Sequence, residues 1–141
     1  MRRLFSTTVD IAASPARVWA VMCAIERWHE WTASIRSVER LDAGPIGPRS
    51  RARVRQPRLP AAVWEVTDWN EGKGFTWVSR APGVRVTGDH QVTPNQAGAR
   101  ATLSICYEGP LAPILVWLTG GLNDRYLALE AAGLKKRSEE A

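Results

Sequence analysis

Between residues 34 and 108 the chain reads as one short strand after another, cut at intervals by glycine and proline. Candidate strands cover residues 34–42, 49–57, 62–70, 74–81, 84–93 and 99–108. The breakers between them are Gly44-Pro45 with Gly47-Pro48, Pro57 to Pro60, Glu71-Gly72-Lys73-Gly74, Pro82-Gly83 and Pro94 to Gly98. Glycine tolerates turn conformations that other residues resist, and proline cannot donate to a strand ladder, so both mark turns. Connections this short make an antiparallel meander. Such a sheet buries one face and wets the other.

The flanks of the meander differ in period. Residues 4–12 alternate, with Phe5, Thr7, Val9 and Ile11 on one face and Ser6, Thr8 and Asp10 on the other, which predicts a half-buried strand. Ser14-Pro15 then opens a helix, with Ser as the cap and Pro at the first helical position. Val18, Trp19 and Met22 are its apolar stripe, and a second short helix is predicted over Glu26 to Trp31. Gly109-Pro110 ends the sheet. From Leu111 to Arg137 the spacing is helical, through Leu111, Leu115, Leu118, Leu122, Tyr126, Leu129 and Gly133. A helix that long spans about 40 Å. Gly120-Gly121 inside it costs roughly 1 kcal/mol per glycine relative to alanine, and marks a kink, a close contact with the sheet or room for a ligand. Seven strands with one long helix across the inner face must curve around that helix, an α+β architecture.

At 141 residues the chain suits a single domain covering 1–141, large enough to bury a core without staples. Seven tryptophans stand out, because large rigid aromatics line cavities as well as cores. The net charge is +5, and 16 of the 19 basic residues are arginine. That balance permits attraction to phosphates or anionic membranes, and equally describes a solvated basic surface. Two cysteines, Cys23 and Cys106, make no disulfide framework. Met1-Arg2-Arg3 could begin a signal peptide, but Thr7, Thr8 and Asp10 interrupt the apolar stretch it would need. Leu111 to Leu122 is too short to span a bilayer and carries Pro113 and Gly120-Gly121. The expectation is a soluble cytoplasmic protein with no transmembrane segment.

Ile11-Ala12-Ala13-Ser14-Pro15-Ala16-Arg17-Val18-Trp19 is followed by Trp28-His29-Glu30-Trp31, Trp64-Glu65-Val66-Thr67, Phe75-Thr76-Trp77 and His90-Gln91-Val92-Thr93-Pro94. Gly109-Pro110-Leu111 then leads to Tyr126-Leu127 and Gly133-Leu134-Lys135. On these blocks the chain resembles the START-like or Bet v 1-like (SRPBCC) superfamily, in particular its polyketide cyclase/dehydrase-like branch. The resemblance implies a helix-grip fold, in which a curved seven-stranded antiparallel sheet wraps a long C-terminal helix and two short helices follow the first strand. It also implies a cavity between sheet and helix. Members bind or transport lipids, sterols and polyketides, and some cyclise or dehydrate them. Where members often carry an Asp before the second helix, this chain has Ala24-Ile25, which leaves the capping of that helix open.

His90 is the most informative polar residue. Val84, Val86, Gly88, His90 and Val92 share the apolar face of their strand, so His90 is expected to point into the cavity, as a ligand contact, a candidate acid or base, or a hydrogen-bonded core histidine. Asp89 points the other way and cannot pair with it. The same alternation turns Trp64, Val66 and Asp68, Phe75, Trp77 and Ser79, and Leu103, Ile105 and Tyr107 inward. The expected ligand-binding set is Trp31, Trp64, Val66, Phe75, Trp77, Val86, His90, Leu103, Ile105, Tyr107, Leu118, Leu122 and Tyr126. His29, His90, Cys23 and Cys106 are too scattered for a metal, and no glycine-rich phosphate loop or cofactor motif is present. Arg49, Arg51, Arg53 and Arg55 alternate and form a ridge on one strand face, either a phosphate-binding surface or a solvated outer face. No aromatic residue interleaves with them, which argues against nucleic acid. The leading functional expectation is binding or carriage of a small hydrophobic molecule. The alternatives are a cyclase or dehydratase using His90, and a surface protein using the arginine ridge.

Overall fold

A computed structural model describes residues 3–140; Met1, Arg2 and Ala141 lie outside the described residues, and with them the first two residues of the basic start noted above. Strand β1 (Leu4–Ile11) leads into helix α1 (Pro15–Cys23) and a 3-10 helix (Ile25–Glu30). Six strands follow: β2 (Ser37–Arg40), β3 (Arg51–Arg55), β4 (Ala62–Asn70), β5 (Gly74–Ala81), β6 (Val84–Asn95) and β7 (Gly98–Glu108). Helices α2 (Ala112–Thr119) and α3 (Leu122–Glu139) come last. The strands form one curved antiparallel sheet in the order β1-β7-β6-β5-β4-β3-β2, so β1 returns to lie beside the last strand. Helix α3 packs across the inner face against β1, β7 and α1.

The local signals at the start hold. Ser14 caps α1 by accepting from the Arg17 amide at 3.1 Å, and Pro15 sits in the first turn, where its missing N–H costs nothing. Val18, Trp19, Val21 and Met22 are buried. The second helix is a 3-10 turn with no side-chain cap at Ala24. It is held instead by the Trp28 indole, which donates to the Met22 carbonyl at 3.0 Å in the core.

Three expectations are corrected. The single helix over Leu111 to Arg137 is two helices. The chain breaks at Gly120, whose backbone (φ 52, ψ −130) suits only a residue without a side chain. The break also resets the buried stripe, which runs through Val116, Asn123, Tyr126, Leu127, Ala131 and Leu134 and leaves Leu118 and Leu129 exposed. Second, the strands at 34–42 and 49–57 shorten to Ser37–Arg40 and Arg51–Arg55; a left-handed backbone at Arg49 (φ 67) precedes the start of the latter. Third, a β-bulge between Val66 and Asp68 reverses the alternation of β4. Asp68, expected inward, is exposed; Trp69 turns in instead and stacks on Phe75 at 5.7 Å.

The C-terminal half of α3 is fastened at three places. Arg17 donates to the carbonyls of Ser138 and Arg137 at 3.4 and 3.0 Å, satisfying acceptors that the helix end would otherwise leave open. Glu139 accepts from the Ala12 amide at 2.7 Å, and Arg137 pairs with Glu30. The tightest approach is at Gly133, where an added Cβ would stand 1.9 Å from the Trp31 carbonyl oxygen. Among the described residues no helix is long and apolar enough to cross a membrane.

Two glycine substitutions should separate these roles. Gly133→Ala forces the helix off Trp31 and should cost about 1–3 kcal/mol in denaturant unfolding, although alanine is the better helix former. Gly121→Ala meets open space at ordinary backbone angles and should change stability by less than about 1 kcal/mol.

Candidate functional site

The inner face of β6 presents Gly88 and His90 beneath α3. A cavity of about 60 Å³ lies there. Its walls come from seven elements: Trp28 of the 3-10 helix, Val54 of β3, Trp64 of β4, Trp77 of β5, Gly88 and His90 of β6, Leu103 and Ile105 of β7, and Leu127 and Glu130 of α3. Gly88 suits this packing: a Cβ there would crowd the Trp77 indole at 3.0 Å. A smaller hollow of about 20 Å³ adjoins it, sharing Trp28, His90, Leu103 and Glu130 and adding Met22, Trp31 and Leu134.

His90 is held in an aromatic cage. Its ring stacks on Phe75 at 4.4 Å, and the rings of Trp28 and Trp77 lie 5.5 and 5.7 Å away. Nδ1 is 3.4 Å from the Phe75 carbonyl; a proton there points at that oxygen and leaves Nε2 as the second polar atom of the ring. Removal from water disfavours the imidazolium and pushes the pKa down to about 4, outweighing the carbonyl and the Asp89 charge. Asp89 itself turns outward, as expected, and accepts from Thr76 and Gln91 at 2.8 Å each.

Glu130 faces the same cavity from α3. Among the described residues it has no ion pair; its hydrogen bond comes from the fully buried Ser34 hydroxyl at 3.3 Å. Ser34 lies 2.8 Å from the Thr32 hydroxyl, and its carbonyl accepts from Gln56 at 3.3 Å. Burial pushes the Glu130 carboxyl up to about 7, with the Ser34 bond opposing only in part. The hollow therefore carries, among mainly aromatic and aliphatic walls, a carboxyl that titrates near neutrality.

Of the residues expected to touch a ligand, Trp64, Trp77, His90, Leu103 and Ile105 line the cavity, and Trp31 lines the smaller hollow. Val66 and Phe75 are core residues behind that wall, and Val86 packs on the core. Tyr107 gives its hydroxyl to Asn123 at 2.6 Å, and Tyr126 gives its own to the Pro57 carbonyl, so both phenols are engaged away from the cavity. Leu118 is exposed on α2, and Leu122, half-buried beside the break, does not reach the cavity. Glu130, Trp28 and the Ser34–Thr32 pair were missed. Glu130 had a signal: it falls on the buried stripe between Leu127 and Leu134, where a carboxylate is out of place.

Two larger hollows, of about 130 and 300 Å³, lie outside the sheet–helix interface. They are surface depressions edged by exposed charges such as Arg17, Arg27 and Lys136. The arginine ridge is shorter than expected. Arg51 and Arg55 are exposed, Arg53 pairs with Glu39 at 2.8 Å across β2, and Arg49 stands outside the strand. Among the described residues, no three His, Cys, Asp or Glu side chains gather as a metal site would require.

The fold recurs in solved structures of low sequence identity. A Thermus thermophilus protein superposes with a TM-score of 0.75 at 20% identity over 96% of each chain. A START superfamily protein from Mycobacterium smegmatis gives 0.74 at 16% identity, covering 96% of this chain and 99% of that one. The Zhui aromatase/cyclase from Streptomyces sp. R1128 gives 0.75 at 15% identity, covering 97% and 93%. No curated protein matches. Residues 2–139 match the family described as polyketide cyclase / dehydrase and lipid transport, and the chain belongs to that family.

Proposed function

We propose that the protein binds a small, mainly apolar molecule carrying one oxygen-containing group, in the cavity between the sheet and α3, with that group held by Glu130 and His90. The observation that carries this reading is that two ionisable side chains, without ion pairs among the described residues, face one hollow walled mainly by aromatic and aliphatic side chains. Convergent polar groups in an apolar pocket are how small-molecule sites fix orientation. Glu130 has unused capacity: beyond the Ser34 bond its carboxyl can give a proton to a ligand carbonyl or accept one from a hydroxyl. His90 stays neutral at ordinary pH and, with its Nδ1 proton directed at the Phe75 carbonyl, offers a ligand hydroxyl the Nε2 acceptor. The family description and the aromatase/cyclase relative fit a ligand with a carbon skeleton and ring or chain oxygens.

The cavity of about 60 Å³ is far below the roughly 300–1,000 Å³ of a site for a drug-sized molecule. A ligand larger than a few heavy atoms therefore enters with movement of the Trp64 and Trp77 indoles or of α3. The break at Gly120 gives the front of α3 a natural point of flexure.

A second reading, proton transfer on a bound polyketide-like substrate, is favoured by one observation. The two titratable groups are pushed in opposite directions, Glu130 toward a neutral acid and His90 toward a neutral base, within one site. Turnover of a poly-β-ketone that is lost in both Glu130→Gln and His90→Ala, with binding retained, would establish it. Unchanged turnover in His90→Ala would exclude the role of that residue.

Two measurements test the site. Native mass spectrometry of protein from its own host should show a bound oxygenated apolar molecule. Titration of that molecule into apo protein should quench tryptophan emission, and Glu130→Gln should weaken binding by about 10- to 100-fold. Unchanged affinity in that variant would refute the assigned anchor. The pH dependence of stability is the second test. Glu130, raised from 4.5 to about 7, favours the folded state below 4.5, and that advantage is lost as pH climbs through 7. His90, lowered from 6.5 to about 4, acts in reverse: the unfolded chain takes the proton first, so stability falls as pH drops from 6.5 to 4. The two slopes oppose each other in the wild type. His90→Gln should leave stability falling as pH rises across the Glu130 window, and Glu130→Gln should leave it rising with pH across the His90 window.

A further inference from the structure

Helix α2 is apolar on both sides. Ala112 and Val116 are buried, yet the opposite side presents Leu111, Ile114, Trp117 and Leu118 at 46, 56, 74 and 67% exposure. These positions follow three- and four-residue steps and so form one stripe. The fifteen residues from Gly109 to Asn123 carry no charge. A helix that is hydrophobic all round is normally covered, and this one is covered on one side only.

Strand topology says what surrounds it. The antiparallel order gathers the starts of β1, β2, β4 and β6 and the ends of β3, β5 and β7 at one end of the sheet. Helix α2 sits at that end: the Leu111 amide donates to the Gly83 carbonyl at 2.8 Å, and the Leu111 side chain fills the place a Gly83 side chain would take. The front of α3 is tied to the same end by the Tyr126–Pro57 bond. Exposed Leu4 stands there too. So do Arg3, Arg55, Arg58, Arg80, Arg85 and Arg125, against the carboxylates Glu108 and Asp124. Arg85 and Glu108 pair at 3.0 Å, which leaves the rim positive. The other end of the sheet mixes its charges, with pairs such as Arg40–Asp42 and Arg100–Asp10.

We infer that this end of the molecule docks on an anionic lipid bilayer, with the outer face of α2 in the headgroup–acyl boundary and the arginine rim on the lipid headgroups. An uncharged apolar face led by an exposed tryptophan and ringed by arginine is what an interfacial element needs: area to bury, an aromatic for the boundary and cations for the surface potential. A second copy fits poorly. An eight-residue helix is roughly 12 Å long. A face of that length falls short of the roughly 800 Å² that a standard interface takes from each partner. A two-fold contact through this end would also set arginine rim against arginine rim.

The test uses the full chain and flotation with vesicles of phosphatidylcholine, alone or with roughly one-third phosphatidylglycerol. Binding to the anionic vesicles, a blue shift of tryptophan emission, weakening as salt rises and little binding to pure phosphatidylcholine are expected. Trp117→Ser with Leu118→Ser, both on the exposed face, should lower vesicle affinity about tenfold or more with circular dichroism unchanged. Arg80→Gln with Arg125→Gln, which leaves α2 intact, should weaken binding to anionic vesicles alone. Absence of binding to anionic vesicles, or equal binding by the serine variant, overturns the inference. So does a dimer in light scattering that the serine variant converts to monomer, since the face would then belong to a second copy.

Discussion

Helix α3 can lie across the sheet only because Gly133 lets its backbone touch the carbonyl of Trp31. That contact sets how closely the helix approaches the end of the 3-10 helix, beside the smaller hollow that Trp31 lines. Arg17 and Glu139 then lock the far end of α3 to the start of α1. The C-terminal half of the helix is thus rigidly seated. Its front end, beyond the break at Gly120, is held by burial of Asn123, Tyr126 and Leu127 and by hydroxyl bonds from Tyr107 to Asn123 and from Tyr126 to Pro57. The covering helix is thus fastened at its far end and broken from α2 at the other.

What lies beneath the helix is a wall of aromatic rings with two titratable groups set into it. Trp28, Trp77 and Phe75 pack around His90, and Trp64 packs on Trp77 at 5.6 Å. Rings keep water away, and the loss of water acts in opposite senses on an acid and a base: it keeps Glu130 protonated to higher pH and His90 neutral to lower pH. The same desolvation makes an unpaired oxygen on a ligand expensive to bury unless it meets one of these two groups. The polar corner of Ser34, Thr32 and Gln56 holds the carboxyl end of that arrangement in place.

The strand meander, the Ser14 cap and the inward direction of Trp64, Trp77, His90 and Leu103 were legible because they depend on local chemistry: glycine and proline at turns, period two on strands, a hydroxyl before a proline. The failures share a cause. A bulge shifts alternation by one residue and exchanged Asp68 for Trp69, and nothing in the local pattern announces it. The Gly120-Gly121 pair fits a kink, a close contact or room for a ligand within one helix equally well from sequence, whereas the chain breaks at Gly120 and Leu118 lies on the surface. Tyr107 and Tyr126 were placed on the correct face, but the partners that take their hydroxyls come from distant segments.

Taken alone, the sequence determined the α+β class, the succession of elements and the presence of an apolar interior with a histidine on its inner face, because each follows from residue type and spacing along the chain. Tertiary structure decided the rest. It placed Glu130 opposite His90, reduced the interior to a cavity of about 60 Å³ and gathered exposed apolar side chains and arginines at one end of the sheet. These are matters of how segments far apart in sequence meet in space, and of the desolvation that follows, which no local pattern encodes.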